Sequence, residues 1–167
     1  MELALIVVKM LWFALTFVWG VYVGVVFHEL GHSLAALLAT RQKVELQVGT
    51  SEGRGFSLGR LAVRLGIQGF RYGFTRYERA NESVGKQAFV ALCGPLATLA
   101  WGGACVWGAL ASAEDMTSFA WILWAGFFIA NFRIFMVVVW PFEYRPNGPE
   151  GEVWLSDSLD VWRMLKK

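Results

Sequence analysis

The chain holds two histidines, and they stand four residues apart in the string His28-Glu29-Leu30-Gly31-His32. On a helix, positions i and i+4 share one face, so both imidazoles can reach a single metal ion. Glu29 beside them is placed to take a proton from a water held at that ion, which is the arrangement of zinc-assisted hydrolysis. The string follows directly on Met10–Phe27, eighteen residues without a charged side chain. A hydrolytic metal site at the end of an apolar helix points to chemistry inside a lipid bilayer. The plain alternative is a chance string whose histidines bond to neighbouring helices. Three polar side chains at bilayer depth speak against it, because an ionised group there costs about 2.5–3.5 kcal/mol on insertion scales. Ser33–Ala39 continue the helix, which puts His32 about 10 Å below its end.

Zinc in a hydrolase has three protein ligands and one open position. No third histidine exists, and Cys93 and Cys105 lie in a different apolar segment, so the third ligand is expected to be a carboxylate. It must come from the side of the membrane where the first helix ends. A second helix crossing out and a third crossing back would deliver the tail after Trp140 to that face. The tail offers Glu143, Glu150, Glu152, Asp157 and Asp160.

The elements that would position these groups are legible from hydropathy. Of the 167 residues 56% are apolar, with nine Trp and thirteen Phe, which excludes an ordinary soluble domain. A membrane span needs about 20 mostly apolar residues, and three segments qualify: about 3–39, 88–113 and 116–140, the last interrupted by Arg133 alone. We read the first as a retained helix rather than a secretory signal, since Met1-Glu2-Leu3 lacks a basic n-region and the apolar run is long. Cys93 and Cys105, about 18 Å apart on a straight helix, are beyond disulfide reach. The expected fold class is an all-α membrane protein: one domain over 1–167, with a three-transmembrane-helix core and a small membrane-associated β-hairpin or sheet insertion.

That insertion is the 41–86 loop. Val44–Val48, Leu61–Leu65 and Phe70–Tyr77 alternate apolar with polar or small residues, between glycines at 49, 53, 55, 59, 66, 69 and 73. Short strands lying against the membrane surface are expected there. The segment after Pro141 reads as irregular up to Gly151, followed by a helix over Leu159–Lys167 capped by Ser156 or Asp157. Nine Lys/Arg against four Glu in Arg41–Lys86, and only Glu114 and Asp115 in the turn after Ala113, set the orientation. By the positive-inside rule the long loop and the tail are cytoplasmic, and the N-terminus is outside, as for a multi-pass protein of the cell membrane. Arg133, about 10 Å inside the third span by helix rise, either snorkels to the interface or faces the metal cavity. Nothing in the composition points to nucleic acid.

In order along the chain stand His28-Glu29-Leu30-Gly31-His32, then Cys93-Gly94-Pro95-Leu96-Ala97-Thr98, then Asn131 and Pro141, then Ser156-Asp157-Ser158. This succession resembles the site-2 protease type of intramembrane zinc metalloprotease over residues 20–165. The resemblance implies one zinc ion per chain held by His28, His32 and Asp157, with Glu29 as general base. It implies substrate positioning by Asn131 and Thr98, to which Arg133 is added as a candidate. It also implies a transmembrane protein substrate within the lipid bilayer, cleaved in regulated intramembrane proteolysis with a regulatory membrane partner. The chain departs from the family pattern at Thr98, where Asn is common, at Ser158, where Gly follows the Asp, and at Val138, where Asn commonly stands. Asp160, one helical turn from Asp157, is the alternative ligand. Two rival functions remain. A metal-holding relative that works by binding partners would need no Glu29, which is present. A prenyl-protein-type peptidase would need a downstream helix-borne Glu ligand, and no such Glu-x-x-x-Asp pattern is found.

Overall fold

The computed structural model describes residues 2–49, 54–145 and 153–166. Three long helices form the core: α1 (Glu2–Ala39), α2 (Val84–Ala111) and α3 (Phe119–Val139). Each is long and apolar enough to cross a membrane, which is consistent with an integral membrane protein. Leu3, Met10, Leu96, Trp107, Leu110 and Phe132 are among many large apolar side chains left exposed on their outer faces. An apolar surface of that extent suits lipid rather than water.

Without a hydrophobic drive between helices in lipid, close approach relies on small residues. Gly20 and Gly24 of α1 face Ala130 and Ile134 of α3, and a Cβ at Gly24 would meet Ile134 Cδ1 at 2.6 Å. Gly31 lies against the backbone carbonyl of Cys93, which brings α1 and α2 together beside the histidines. Both cysteines are free, as expected from their separation.

Between α1 and α2 the chain forms a four-stranded sheet of β1 (Val44–Val48), β2 (Arg54–Leu58), β3 (Leu61–Leu65) and β4 (Gly73–Arg76). The order is β2-β3-β1-β4, with β1 parallel to β3 and the other pairs antiparallel. Val44, Leu46 and Val48 alternate onto α1 and are almost wholly buried. Leu46 and Val48 join Val25, Val63 and Ile134 in one cluster, while Val44 joins Ala35, Ala36 and Val90 in a second. Arg60, in the β2–β3 turn, donates to the carbonyls of Leu37 (2.8 Å) and Thr40 (2.7 Å). It thereby satisfies acceptors that the end of α1 leaves open.

One expectation for the loop is corrected, and one strand is added to those expected. The run Phe70–Tyr77 supplies a strand only over Gly73–Arg76, because Gly69 turns the chain with φ +64° just before it. β2 went unread, since Gly55 and Ser57 give it only a weak alternating pattern; it forms because each of its residues pairs with β3.

After α3 come β5 (Glu143–Tyr144), β6 (Trp154–Leu155) and α4 (Asp157–Leu165), the first two paired antiparallel. The last helix starts two residues before the expected Leu159, with Ser156 at its N-cap. The helix bounds also shift at Ser83 and Ser118, which cap α2 and α3. At Ser118 the hydroxyl accepts from the Trp121 N–H at 3.1 Å, the usual stop for a helix start. Of the tail carboxylates, Glu150 and Glu152 lie outside the described residues.

Candidate metal centre

The site is built where the last turns of α1 meet α2, β4 and α4. His28 and His32 are buried on the α1 face turned to α2. Gly94, the first residue of the Gly-Pro pair, makes room there, because a Cβ at this position would strike the His32 ring. α4 brings Asp157 to the same point. His28 Nε2 and Asp157 Oδ2 lie 3.1 Å apart, His32 Nε2 and Asp157 Oδ2 3.4 Å, and the two Nε2 atoms 3.1 Å.

The outer ring nitrogens fix the tautomers. His32 Nδ1 lies 2.7 Å from the Val90 carbonyl, which can only accept, so Nδ1 carries the proton. Thr98 Oγ1 donates to the Gly94 carbonyl at 3.1 Å and lies 3.0 Å from His28 Nδ1, so His28 Nδ1–H donates to it. Both Nε2 atoms therefore present lone pairs inward. Asp157 Oδ2 is buried without a hydrogen-bond donor among the described residues. Three lone pairs converging without a proton between them repel one another unless a cation sits among them. Ligands about 2.0–2.1 Å from a tetrahedral Zn²⁺ stand about 3.3 Å from each other, and the three observed spacings bracket that value. Among the described residues, His28, His32 and Asp157 form the group able to hold a metal ion.

Glu29 points to the opposite wall. Thr75 Oγ1, on β4, lies 2.9 Å from Glu29 Oε2 and 3.2 Å from the Glu29 carbonyl, and 3.0 Å from Ser33 Oγ. Gly73 backs the same carboxylate, since a Cβ there would approach Glu29 Cγ to 2.5 Å. A cavity of about 420 Å³ opens over the group, walled by Glu29, Thr75, Tyr144, Trp154 and Asp157. Trp154 packs edge-on against Tyr72 and Phe74, with ring centroids 6.4 and 6.3 Å away, so the β5–β6 hairpin leans on β4 across this cavity. Tyr144 lines it with its phenol pushed up to about 12, by burial first and then by the charges of Asp157 and Glu29.

The other sequence candidates fall in different places. Asp160 accepts from Arg79 Nη2 at 2.8 Å and stands outside the group. Glu143 is ion-paired with Arg163. These two pairs tie α4 to the 41–86 loop and to β5, and so hold Asp157 in place. Thr98 is fully buried and Asn131 nearly so. They stand in line behind His28, with Asn131 Nδ2 donating to the Thr98 carbonyl at 2.9 Å. Arg133 does reach a cavity, a smaller one beside Glu29. Thr75, Tyr144 and Arg79 escaped the sequence reading. No local pattern marks them, because their partners are 46, 13 and 81 residues away for Thr75–Glu29, Tyr144–Asp157 and Arg79–Asp160.

Three apolar helices long enough to cross a membrane, two buried histidines with a partly buried aspartate, and a carboxylate held beside them make a membrane-type fold with a site suited to a metal. The chain belongs to the Peptidase M50B-like family, which matches it over residues 3–141. The match covers the histidines, Glu29 and Thr98 and ends before Asp157, which reaches the site by geometry alone. No curated protein matches the chain.

Proposed function

We propose that this protein is an intramembrane zinc endopeptidase, cleaving a transmembrane protein at a segment lying within or beside the bilayer. The observation that carries this reading is the convergence of three unprotonated donor atoms with Glu29 alongside, facing an accessible cavity. His28, His32 and Asp157 would hold one Zn²⁺, which when bound polarises the scissile carbonyl and makes the attacking water more acidic. Glu29 accepts a proton from that water and then delivers it to the departing amine. Thr75 and Gly73 fix the Glu29 carboxylate for both transfers, and burial keeps competing water from it.

A helical substrate hides its carbonyls, so the cleaved segment must unwind. β4 is an edge strand whose one flank pairs with β1, and Gly73, Phe74 and Thr75 line the metal cavity. An unwound segment adding to that edge would satisfy its own backbone groups while its peptide bond faces Glu29. The positive charge of the 41–86 loop supports a cytoplasmic position for the site, in the cell membrane. A membrane partner that releases or withholds the substrate fits the same reading. The test is Glu29→Gln in the purified protein: zinc content is expected to stay at one per chain while cleavage of a membrane-segment substrate falls by about 10²–10⁴. Cleavage at the unaltered rate by a zinc-replete mutant overturns the mechanism.

A further inference from the structure

A second cavity, of about 210 Å³, adjoins the metal cavity, and His28, Glu29, Gly73, Val137, Val138 and Tyr144 line both. What it has of its own is Arg71, just before β4, and Arg133, on α3, set among Val25, Ile134 and Phe142. Its one acid is Glu29, already bonded to Thr75. Arg64, Arg79 and Arg163 each meet a carboxylate elsewhere in the molecule. Among the described residues, no ion pair joins Arg71 or Arg133 to an acid; Arg71 lies over the Tyr72 ring at 5.9 Å. Arg133 is also a charge placed six residues inside a membrane helix, about 9 Å from its end. An intramembrane charge of this kind is retained at a cost and marks a functional surface.

We propose that Arg71 and Arg133 form a subsite for an acidic side chain of the substrate, two or three residues from the scissile bond. The proposal rests on the proteolytic reading and names what that site selects. Its spacing follows from β4. Gly73, at the start of β4, backs Glu29, and Arg71 stands two residues before it in the turn closed by Tyr72 N–H on the Gly69 carbonyl, at most about 7 Å away along the chain. A segment added to the β4 edge advances by the same rise, so the residue that passes Arg71 is two or three from the one that faces Glu29. Two guanidinium groups from different elements suit the planar, bidentate demand of an Asp or Glu carboxylate. Both side chains are exposed, so an incoming carboxylate can reach them. A lipid phosphate shares the chemistry, but a headgroup seated here would block the carboxylate that the reaction needs.

The experiment uses zinc-loaded Glu29→Gln protein in neutral detergent, so that binding is read without cleavage. It is titrated with dansylated 20-residue Leu/Ala/Gly peptides carrying a single Asp, Asn or Lys at successive positions. The expected result is about tenfold tighter binding of Asp than Asn at one register, as for a hydrogen-bonded charge pair. Arg71→Gln with Arg133→Gln erases this preference at unchanged zinc content, and Arg133→Glu turns it towards Lys. Equal binding of Asp and Asn at every position overturns the proposal, as does a full Asp preference in the double variant. Loss of affinity by the double variant for phosphatidylglycerol vesicles over phosphatidylcholine vesicles, with no peptide preference, assigns the cavity to lipid and also overturns it. A wild-type protein that selects Asp peptides yet cleaves none refutes the peptidase reading and leaves the subsite standing.

Discussion

Thr98→Val removes one hydroxyl and leaves the shape of the side chain. Thr98 is fully buried, so the change alters no surface and opens no cavity. Its consequence falls on His28, whose Nδ1–H loses the acceptor 3.0 Å away. Leaving a buried donor unsatisfied costs about 1–3 kcal/mol. The ring can avoid that cost by moving its proton to Nε2, but Nε2 then has no lone pair for a metal. Either route is paid in affinity, and about 1.4–2.7 kcal/mol corresponds to the 10–100-fold loss typical of altered partners behind metal-ligating histidines. His32 offers no equivalent experiment, because its acceptor is the backbone carbonyl of Val90. The assay is competition for Zn²⁺ between the purified protein and a chromophoric chelator, with Thr98→Ser, which keeps the hydroxyl, as the matched control. The expected order is wild type close to Thr98→Ser, with Thr98→Val weaker by 10–100-fold. Unchanged zinc affinity in Thr98→Val would refute the tautomer argument and with it the claim that three lone pairs face one ion.

Asp157→Asn is expected to lower zinc affinity far more than Asp160→Asn, since Asp160 is engaged by Arg79 at 2.8 Å; equal zinc retention measured by metal analysis would reject Asp157 as ligand. In a protein whose native cysteines are replaced, single cysteines at Ile67 and Lys166 are expected to label from one side of the membrane and one at Asp115 from the other. Labelling of Ile67 and Lys166 from opposite sides would break the three-crossing arrangement. Tyr144 is raised from 10.0 to about 12, so between those values the unfolded chain loses its proton first. The native state then binds more protons, and the stability this phenol contributes is complete below pH 10 and lost as pH rises towards 12. Tyr144→Phe should remove that alkaline decline in a denaturation series, and an identical decline in both proteins would contradict the placement of the phenol beside the two acids.

The sequence by itself determined the spans and the local half of the metal centre. Long apolar runs need no tertiary partner to be recognised, because the bilayer imposes the helix on any segment that cannot satisfy its backbone otherwise. The spacing of His28 and His32 is likewise a property of one helix, and so is the adjacency of Glu29. Family resemblance pointed to Asp157, which local patterns leave in competition with Glu143, Glu150, Glu152 and Asp160. What the tertiary structure decided is everything that depends on chain segments meeting at a distance. The position of Thr98 in its motif says nothing of which group its hydroxyl meets; packing of α1 on α2 sets it against His28 Nδ1. Thr75 carried no signal at all, and became the partner of Glu29 because the sheet order puts β4 at the edge next to α1. Arg133 was readable as a charge in a membrane helix, whereas the cavity it shares with Arg71 exists only once β4, α1 and α3 are assembled. Periodicity reports which face of an element is apolar. It does not report which polar group on another element that face will meet, and the contacts that hold His28, His32 and Glu29 in place are made of those meetings.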